Sequence, residues 1–529
     1  MISVKRPGGE SIHDAVIHHE PPEMDTTLVT ALRSVLGQET GQSVELIETH
    51  LSWVLLTPVH AYKLKKPVHL PFVDFGSVQA RQYFCEEELR LNRRFAPMLY
   101  LDVLPVRGSQ LAPRLGGANS GPPIDHVVRM RRFAQASLMR NLLLAGRLEP
   151  AWLDGLAQRL ATWHATAAAS PSPAWASPQR IVRSVSDVLT SLRTQRNDPR
   201  LARLQEWLEA QGRALHGTWT ARQRTGAVRE CHGDLHMGNV VLIEGALVPF
   251  DSIEFDPGLR WIDVMSDVAF LTMDLKAHGR PDLAARFLDA WLQRSGDHAG
   301  LRVLRFYEIY RALVRAMTGG MGPQSPDATP RPDYLSLAME WATSTQPGPR
   351  LLITHGLSGS GKSTVASQLM QAVGAVRIRS DVERKRQFGL DALECSAKLG
   401  IDIYTPQATI DTFESLLQRT RDALQAGYPV IVDAAFLQGD WRRRFQALAA
   451  ELGVPFLILD CRAHPDTLRH RVAARHAACS DASEANVHVL EEQIHTHQPL
   501  EPDERSCAIV VSTEEPLDIA SIAARWLAA

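Results

Sequence analysis

The sequence has few cysteines and no paired cysteine motif. Six cysteines occur in 529 residues, and no two of them are spaced as a CxxC pair. Scattered cysteines in a chain of this length are typical of reduced thiols, and they argue against a disulfide framework or a zinc ribbon. We therefore expect a cytoplasmic protein. The cysteines are Cys85, Cys231, Cys395, Cys461, Cys479 and Cys507.

Long apolar segments and a large net charge are also missing. No segment approaches the roughly 18 apolar residues that a membrane-spanning helix needs, and residues 1–25 contain no apolar segment of the signal-peptide type. The net charge is only −2, from 57 basic and 59 acidic residues. We therefore expect no membrane partner and no charge-driven attachment to nucleic acid, although a local basic groove in the C-terminal domain stays open.

The composition indicates several globular domains. Hydrophobic residues make up 45% and charged residues 22% of the chain, which is typical of soluble folded proteins. The composition changes at 317–350, where glycine and proline are frequent and would weaken helices and strands. We place a domain boundary there. The predicted division is an N-terminal extension at 1–40, a first domain at 41–345 with a small lobe at 41–133 and a helical lobe at 134–345, and a second domain at 350–529.

Hydrophobic periodicity predicts a different fold class for each domain. The first domain has predicted strands at 44–64, 99–106 and 125–133 and a helix at 78–94, and beyond residue 135 apolar residues recur with the helical period of 3.6. This pattern predicts a bilobal α+β domain. After residue 350, short apolar strands alternate with helices, which predicts an α/β domain with a parallel sheet between helices. These strands are at 351–354, 375–378, 430–432 and 456–459.

The strongest motif is a phosphate loop in the second domain. It follows the predicted strand 351–354 and opens a helix, so backbone N–H groups and the helix N-terminus can surround a triphosphate. Lys362 would reach the outer phosphates as a catalytic cation, and the Ser363 hydroxyl can bind Mg²⁺. The alternative is a glycine-rich turn with an exposed lysine. The predicted ATP-binding residues are Gly356, Ser358, Gly359, Ser360, Gly361, Lys362, Ser363 and Thr364.

Two carboxylates follow later strands of the second domain. Asp381 comes after the strand 375–378, at the edge of the sheet where α/β proteins bind ligands, and it can accept a proton from an attacking hydroxyl. Arg384, three residues on, can bind a substrate anion. Asp433 ends the strand 430–432 and is placed to act on the water shell of Mg²⁺. The alternative for both carboxylates is a helix cap at the end of a strand.

The second domain resembles small P-loop kinases of the polynucleotide 5′-kinase, gluconate kinase and zeta-toxin type. The resemblance is carried by residues 356–364, by Asp381 with Arg384, and by Arg471 with Arg475, which lie on one helix face and would cover the phosphates as a lid. It implies phosphoryl transfer from ATP to a hydroxyl group without naming the acceptor. A solvated helix face is the alternative for the two lid arginines.

A second cluster of oxygen ligands lies in the first domain. The sequence Cys-His-Gly-Asp234-Leu-His-Met-Gly-Asn239 precedes a strand, a turn and a returning strand that ends at Asp251. This order would bring the three side chains together, and phosphoryl transfer needs a carboxylate near the acceptor hydroxyl and oxygen ligands for Mg²⁺. The alternative is a loop of capping Asp and Asn residues.

The cluster resembles the aminoglycoside phosphotransferase and choline kinase group, which has a fold like that of eukaryotic protein kinases. The resemblance implies that Asp234 is the catalytic base and that Asn239 and Asp251 bind metal. It also implies that His232 is structural and that Asp267 supports the loop through hydrogen bonds. A packed or solvated histidine is the more frequent role for such a residue.

The same resemblance implies an ATP-binding ion pair between a strand lysine and a helix glutamate in the small lobe. Lys63 fits the lysine position best, and Lys65 on the same side of the strand is its rival. Glu88 is our choice for the glutamate, with Glu86 and Glu87 left open. The hairpin at 56–60 contains no glycine, which departs from this pattern and opposes close wrapping of its backbone around phosphates.

The order of the two domains resembles a family of bacterial proteins that fuse an aminoglycoside phosphotransferase-like domain to a P-loop kinase domain. The resemblance covers residues 40–525 and implies a bifunctional ATP- and Mg²⁺-dependent kinase with small-molecule acceptors. Two other interpretations stay open. Either only the P-loop domain turns over and the first domain is a nucleotide-sensing or scaffolding module, or the chain is a P-loop ATPase that remodels a partner. The acceptors and the oligomeric state cannot be deduced from the sequence.

Overall fold

The computed structural model describes residues 25–70, 73–117, 121–319, 331–343, 347–478 and 481–529. The chain divides into two compact units. The first unit consists of the described residues within 25–148, 167–274 and 306–342, and the second of those within 149–166, 275–305 and 343–529. Much of the predicted extension (1–24) and parts of the predicted boundary (320–330 and 344–346) lie outside the described residues. Nowhere in these described ranges does a helix combine the length and apolar character that crossing a membrane requires.

A six-stranded antiparallel sheet forms the first part of the first unit. Alternate side chains of its strands enter two apolar clusters on opposite faces, as the period of two residues requires. The helix Thr27–Thr40 covers one face and the helix Val78–Asn92 contributes to the other. In spatial order the strands are Glu45–Glu48, Ser52–Leu56, His60–Lys65, Asp125–Arg131, Tyr100–Gly108 and Pro113–Leu115. Separately, His69–Leu70 pairs antiparallel with Val73–Asp74.

The rest of the first unit is helical, with two short antiparallel ribbons. One ribbon pairs Val240–Ile243 with Ala246–Pro249, and the other pairs Val228–Glu230 with Trp261–Asp263. The sheet, the ribbons and the helices that follow confirm the α+β prediction for this part of the chain. The helices are Met139–Leu144, Pro178–Gln195, Arg200–Arg224, Pro257–Arg260, Tyr334–Thr343 and the portions of Val264–Ala277 and Leu301–Thr318 within 264–274 and 306–318.

A five-stranded parallel sheet forms the centre of the second unit. The predicted parallel α/β fold is therefore confirmed. In spatial order the strands are Val376–Arg379, Val430–Asp433, Leu351–His355, Phe456–Arg462 and Ala508–Ser512. The helices are Pro150–Thr166, Pro281–Ser295, Lys362–Val373, Ser380–Gln387, Pro406–Gln425, Gly439–Leu452, Pro465–Ala478, Val487–Thr496, Pro502–Ser506 and Ile519–Ala528.

Two helices of the second unit come from far upstream in the sequence. Pro150–Thr166 and Pro281–Ser295 pack against each other, and Pro281–Ser295 also packs against Lys362–Val373 and Val376–Arg379. Ala285 accordingly belongs to the core cluster of the parallel sheet. Both helices lie in the range that the sequence assigns to the first domain. Periodicity predicts that a helix has a buried face without showing which core buries it, and the domain division at 317–350 stays a prediction.

Candidate functional site

The phosphate loop (residues 356–364) has the backbone that its glycines allow. Gly356, Gly359 and Gly361 have φ angles of 137°, 83° and 82°, a region that side chains with a Cβ rarely adopt. A Cβ on Gly356 would lie 2.4 Å from the carbonyl oxygen of Cys461, so the loop passes too close to the neighbouring strand for a larger residue. The loop follows the strand Leu351–His355 and leads into the helix Lys362–Val373, as predicted.

Lys362 and Ser363 both point toward polar groups of this loop. The Lys362 Nζ donates hydrogen bonds to the carbonyl oxygens of Gly356 and Leu357, each at 2.8 Å. Burial lowers the pKa of Lys362, and nearby Cys461, Asp433 and Asp381 oppose that effect. The Ser363 hydroxyl donates to Asp433 Oδ1 at 3.0 Å. The loop thus holds a cation and a hydroxyl in positions where a triphosphate and its metal can replace internal partners.

Asp433 ends the strand next to the phosphate-loop strand and is 4% exposed. Its Oδ2 atom is buried and accepts no hydrogen bond within the described part of the chain. Arg379 Nε lies 3.5 Å and Arg377 Nη1 3.9 Å from this oxygen. An unsatisfied carboxylate oxygen next to a hydroxyl fits Mg²⁺, which prefers a few oxygen ligands and retains several waters. Ser363 and Asp433 are therefore the residues that would hold Mg²⁺ here.

Two arginines next to Asp433 were not predicted from the sequence. Arg377 donates to both carboxylate oxygens of Asp289, at 3.3 and 2.7 Å, and to the Ser363 carbonyl oxygen at 3.3 Å. Arg379 lies 3.2 Å from both carboxylate oxygens of Asp481. The signal was available, because charged residues rarely alternate with apolar ones in the buried strands of a parallel sheet.

Asp381 and Arg384 lie on the short helix Ser380–Gln387, which follows the strand Val376–Arg379. Asp381 is half-buried. Arg384 is buried, and it donates to the Ile403 carbonyl oxygen at 3.0 Å and to Thr409 Oγ1 at 3.2 Å, with its guanidinium over the ring of Tyr404. Burial lowers the pKa of Arg384. Arg384 thus anchors the segment after its own helix, and its binding of a substrate anion stays a prediction.

The predicted lid arginines contact the backbone near the phosphate loop. Arg471 Nη1 lies 3.3 Å from the Gly359 carbonyl oxygen and 2.8 Å from Thr513 Oγ1. Arg475 donates to the Ala485 carbonyl oxygen at 3.2 Å. Their action on phosphates stays a prediction.

Three further residues of the phosphate loop have the following surroundings. The Ser358 N–H donates a hydrogen bond to Gln493 Oε1, and the Ser360 carbonyl oxygen accepts one from the Thr513 hydroxyl. Thr364 is exposed.

In the first unit, Asp267 holds the start of the loop at residues 232–239. Its carboxylate accepts hydrogen bonds from the backbone N–H groups of His232 and Gly233, both at 2.8 Å. Gly233 has a φ of 86°, and a Cβ there would lie 2.6 Å from the Leu259 carbonyl oxygen. His232 is fully buried, with Nε2 2.9 Å from the Phe250 carbonyl oxygen. The predicted supporting role of Asp267 and the structural role of His232 agree with these contacts.

Asp234 and Asn239 meet within this loop. Asn239 Nδ2 donates to Asp234 Oδ2 at 2.9 Å, and His236 Nε2 lies 3.5 Å from the same oxygen. Arg315 Nη1 is 3.3 Å from His236 Nε2. Burial raises the pKa of Asp234, but His236, Arg315 and His232 outweigh it and hold the pKa well below its ordinary value. Asp234 is therefore ionised at neutral pH, as an acceptor of a hydroxyl proton must be.

Asp251 follows the ribbon that starts next to Asn239. The Phe250 N–H donates to the Asn239 carbonyl oxygen at 3.0 Å, which joins the two ends of the ribbon. Asp251 has a positive φ of 64°, and its N–H donates to the Tyr100 hydroxyl at 3.1 Å. A positive φ is uncommon for a residue with a Cβ and occurs often at functional sites.

The carboxylate of Asp251 contacts a buried ion-pair network. Lys63 Nζ lies 2.5 Å from Asp251 Oδ1 and 2.9 Å from Glu88 Oε1. Lys65 pairs with the other oxygen of Glu88 at 2.7 Å, and also with Glu254. Burial raises the pKa of Glu88, but the two lysines outweigh it and lower that pKa to about 2. Both candidate lysines therefore contact Glu88, and Lys63 is the one that also reaches Asp251.

Part of the second unit matches a known protein family. Residues 351–500 match the family described as an AAA domain, which agrees with the predicted P-loop domain. An uncharacterized protein of Mycobacterium tuberculosis is 28% identical over 452 residues, which are 83% of this chain and 88% of that protein. A Mycobacterium bovis protein matches with the same values.

Solved kinase structures match different parts of the chain. A gluconokinase from Sinorhizobium meliloti is 20% identical and covers 34% of this chain and 90% of its own, with a TM-score of 0.26. A choline/ethanolamine kinase family protein from Mesorhizobium loti is 13% identical and covers 60% of this chain and 92% of its own, with a TM-score of 0.37.

Proposed function

We propose that this protein is an ATP-dependent phosphotransferase with two nucleotide sites, one in each unit. Each site would transfer the γ-phosphoryl group to a hydroxyl of a small molecule. The observation that carries the proposal is that each unit contains, among its own residues, a lysine, a carboxylate as a candidate base, and oxygen atoms suited to Mg²⁺. A cytoplasmic location and a requirement for Mg²⁺ belong to the proposal.

In the second unit, the phosphate loop would bind the triphosphate through its backbone N–H groups and Lys362. Bound Mg²⁺ would offset the charge of the phosphates, and Ser363 and Asp433 would hold it. Asp381 would accept the proton of the attacking hydroxyl, and Arg471 and Arg475 would cover the phosphates. Lys362 and Ser363 lie in the phosphate loop. Asp433 and Asp381 lie at or just beyond the carboxyl ends of two other strands of the same sheet, where an α/β sheet binds its ligands.

In the first unit, Asp234 would accept the proton of the acceptor hydroxyl, because it is ionised and only about a third exposed. Asn239 and Asp251 would hold Mg²⁺ with their oxygens. Lys63 would bind the phosphates of ATP, oriented by Glu88. The hydrogen bond from Asn239 to Asp234 and the contact from Lys63 to Asp251 support this set of roles, since they join the metal ligands to the base and the cation.

A second candidate function is favoured by the hairpin at 56–60. Its turn is closed by Thr57, which bonds to His60 through both its backbone N–H and its hydroxyl, and it has no glycine. A tight turn of this kind offers no flexible backbone to surround phosphates. The first unit would then bind nucleotide for regulation or scaffolding, and only the second unit would turn over.

The test is a turnover assay on the full chain with labelled ATP, Mg²⁺ and a broad panel of hydroxyl compounds. Asp234→Asn keeps the size of the side chain and removes the base, and Lys362→Ala removes the phosphate-loop cation. We expect each variant to abolish transfer to a different acceptor and to leave the other transfer intact, with losses of at least a hundredfold.

The two candidates predict different results in this assay. If the second candidate is right, Asp234→Asn changes no transfer, while ATP still binds at two sites in calorimetry. If Lys362→Ala retains full transfer to every acceptor, the proposed chemistry of the second unit is wrong. Arg443→Ala, a change at an exposed arginine of the second unit, serves as the control for general effects of substitution.

A further inference from the structure

A small cavity in the first unit has no role in the proposed chemistry described so far. Its volume is about 40 Å³, and it lies among the helix Pro178–Gln195, residues 258–266 and the helix segment 306–318. Its polar lining consists of one carboxylate, Asp263, and six side chains that donate hydrogen bonds, which are Arg180, Ser184, Ser266, Tyr307, Tyr310 and Arg311. Two arginines, two tyrosines and two serines are all hydrogen-bond donors, and the arginines carry positive charge.

Arg311 is a buried cation in the wall of this cavity. Its side chain is only 4% exposed, and its Nε atom has no hydrogen-bond partner in the described part of the chain. Its guanidinium lies over the rings of Phe270 and Tyr310, at 4.8 and 5.5 Å from their centroids. The rings fix the position of the cation, but a buried charge without an anionic partner is destabilising.

The acidic residues next to the cavity bind other cations. Asp263 lines the cavity, but its two carboxylate oxygens accept hydrogen bonds from Arg222 at 2.6 and 2.7 Å. Asp256 lies 3.8 Å from Arg180. Within the described ranges, no carboxylate pairs with Arg311, so its charge is available to a ligand. Arg180 Nε is likewise buried without a partner.

The cavity has room for an anionic group but not for a nucleotide. A water needs about 10–15 Å³ of this kind of volume, so 40 Å³ holds three or four water-sized atoms, which is enough for the oxygens of a carboxylate or a phosphate group. Burial raises the pKa of Tyr307 and of Tyr310. Their hydroxyls are therefore protonated at neutral pH and can donate to an anion.

The cavity adjoins the loop that carries Asp234. Leu259 lines the cavity, and its carbonyl oxygen is the atom closest to the Cβ position of Gly233, at 2.6 Å. Arg311 also lies one helical turn before Arg315, which reaches His236 beside Asp234. An anion at Arg311 would thus be held close to the proposed base.

We propose that this cavity binds the anionic group of the acceptor of the first unit. The acceptor would be a hydroxyl compound with a carboxylate or a phosphate, such as a hydroxy acid or a sugar phosphate. The proposal rests on the phosphotransferase function of the first unit and names its substrate class. A polyol has no charge for Arg311 to bind, and an amino alcohol has the wrong charge.

Binding of an anion is tested first, independently of transfer. Inorganic phosphate is titrated by calorimetry into the full chain carrying Lys362→Ala, which removes the phosphate-loop cation, and into the same chain with Arg311→Met or Arg183→Met added. Methionine keeps the contact with the aromatic rings and removes the charge, and Arg183 is an exposed arginine on the helix of Arg180. We expect Arg311→Met to weaken binding at least tenfold and Arg183→Met to leave it unchanged. No phosphate binding that depends on Arg311 would overturn the proposal.

The identity of the anion is tested by transfer from labelled ATP. Hydroxy acids and sugar phosphates are compared with matched polyols and amino alcohols. We expect transfer to the anionic compounds, an at least tenfold higher KM for them in Arg311→Met, and an unchanged KM for ATP. Equal use of neutral or cationic acceptors would overturn the proposal.

A failure of the proposed function gives a different pattern. If Asp234→Asn affects no transfer while phosphate binding still depends on Arg311, the first unit is not a phosphotransferase. The cavity then holds a free anion, and the substrate assignment is overturned with the function.

Discussion

At the scale of single residues, Lys65 illustrates how a buried charge is held. It is 1% exposed and pairs with Glu88 and Glu254. Lys65→Met would remove a positive charge that offsets the negative charges of two buried carboxylates. Breaking a buried ion pair in this way typically lowers the free energy of unfolding by about 3–5 kcal/mol. We expect a clear fall in the unfolding temperature by calorimetry.

The control for this prediction is Lys398→Met, since Lys398 is exposed. Exposed substitutions usually change the free energy of unfolding by less than about 0.5 kcal/mol. An unfolding temperature that is the same for Lys65→Met and Lys398→Met would show that the network does not stabilise the fold.

His298 predicts a pH dependence of stability. It is 3% exposed, and its Nδ1 accepts a hydrogen bond from Arg419 at 3.0 Å. Burial and the arginines nearby lower its pKa to about 3, from an ordinary value of 6.5. Between these values the unfolded chain binds a proton that the folded chain does not, so stability is full above pH 6.5 and falls as the pH drops toward 3, by at most about 1.4 kcal/mol per pH unit.

This dependence is measured by urea unfolding at pH 7, 6 and 5. His298→Asn keeps an acceptor for Arg419 and removes the titrating group, so its stability should fall less steeply with acid than that of the unmodified protein. His488→Asn, at an exposed histidine, should leave the slope unchanged. A slope that is equal in all three proteins would contradict the prediction.

At the scale of secondary-structure elements, the helix Pro281–Ser295 takes part in the phosphate site. Its Asp289 holds Arg377, which contacts the Ser363 carbonyl oxygen and approaches Asp433. Asp289→Asn would release this arginine and disturb the metal ligands. Outer partners of metal ligands typically contribute about 10–100-fold to affinity or activity, so we expect a KM for Mg·ATP at least about tenfold higher in the transfer that depends on Lys362.

Asp282→Asn is the matched control on the same helix. Asp282 pairs with the nearby Arg280 on the surface, and its loss should leave the KM for Mg·ATP unchanged. If Asp289→Asn lowers only the unfolding temperature and not the affinity for Mg·ATP, Asp289 is structural and does not position the site.

The elements show what the sequence could and could not predict. The strands and helices around the phosphate loop were predicted closely, because apolar runs alternate with helical patterns there. The sequence does not predict the helix Thr27–Thr40, which lies within the predicted extension at 1–40, or the strand Ala508–Ser512, which alternates buried and exposed residues at a sheet edge. Local patterns predict the type of an element, whereas its neighbours depend on tertiary packing.

The residues of the candidate sites also divide into those that the sequence predicts and those that it misses. Motif residues such as Asp234 and Asn239 were found because their spacing within one loop is short. Glu254 and Arg377 were missed because they meet their partners only after the chain folds back, Glu254 with Lys65 across nearly 190 residues of sequence. Lys63 and Lys65 could not be separated by sequence because they lie on the same side of one strand.

At the scale of the whole molecule, the second unit is not continuous in sequence. It includes the helices Pro150–Thr166 and Pro281–Ser295 as well as residues from 347 onward. A fragment of residues 347–529 would lack Asp289, and Arg377 would become a buried cation with one partner fewer. We expect this fragment to be less stable than the same unit in the full chain by about 3–5 kcal/mol, measured by urea unfolding.

Arg377→Met in the same fragment tests whether the loss of the Asp289 partner causes the lower stability. Removing this cation, which has lost Asp289, should recover part of the lost stability, since an apolar side chain of similar length costs less to bury. A fragment as stable as the full chain would show that the upstream helices are dispensable. Assays of the phosphate loop should meanwhile use the full chain.

Because the second unit is built from separate stretches of the sequence, its parts are synthesised at different times. The helix Pro281–Ser295 leaves the ribosome about 90 residues before the strand that contains Arg377, which at about 5–20 residues per second is a delay of roughly 5–20 s. Throughout that interval the apolar face around Ala285 has no sheet to cover it. Slow translation between these two points would prolong its exposure, and newly made chains would be most prone to aggregate there.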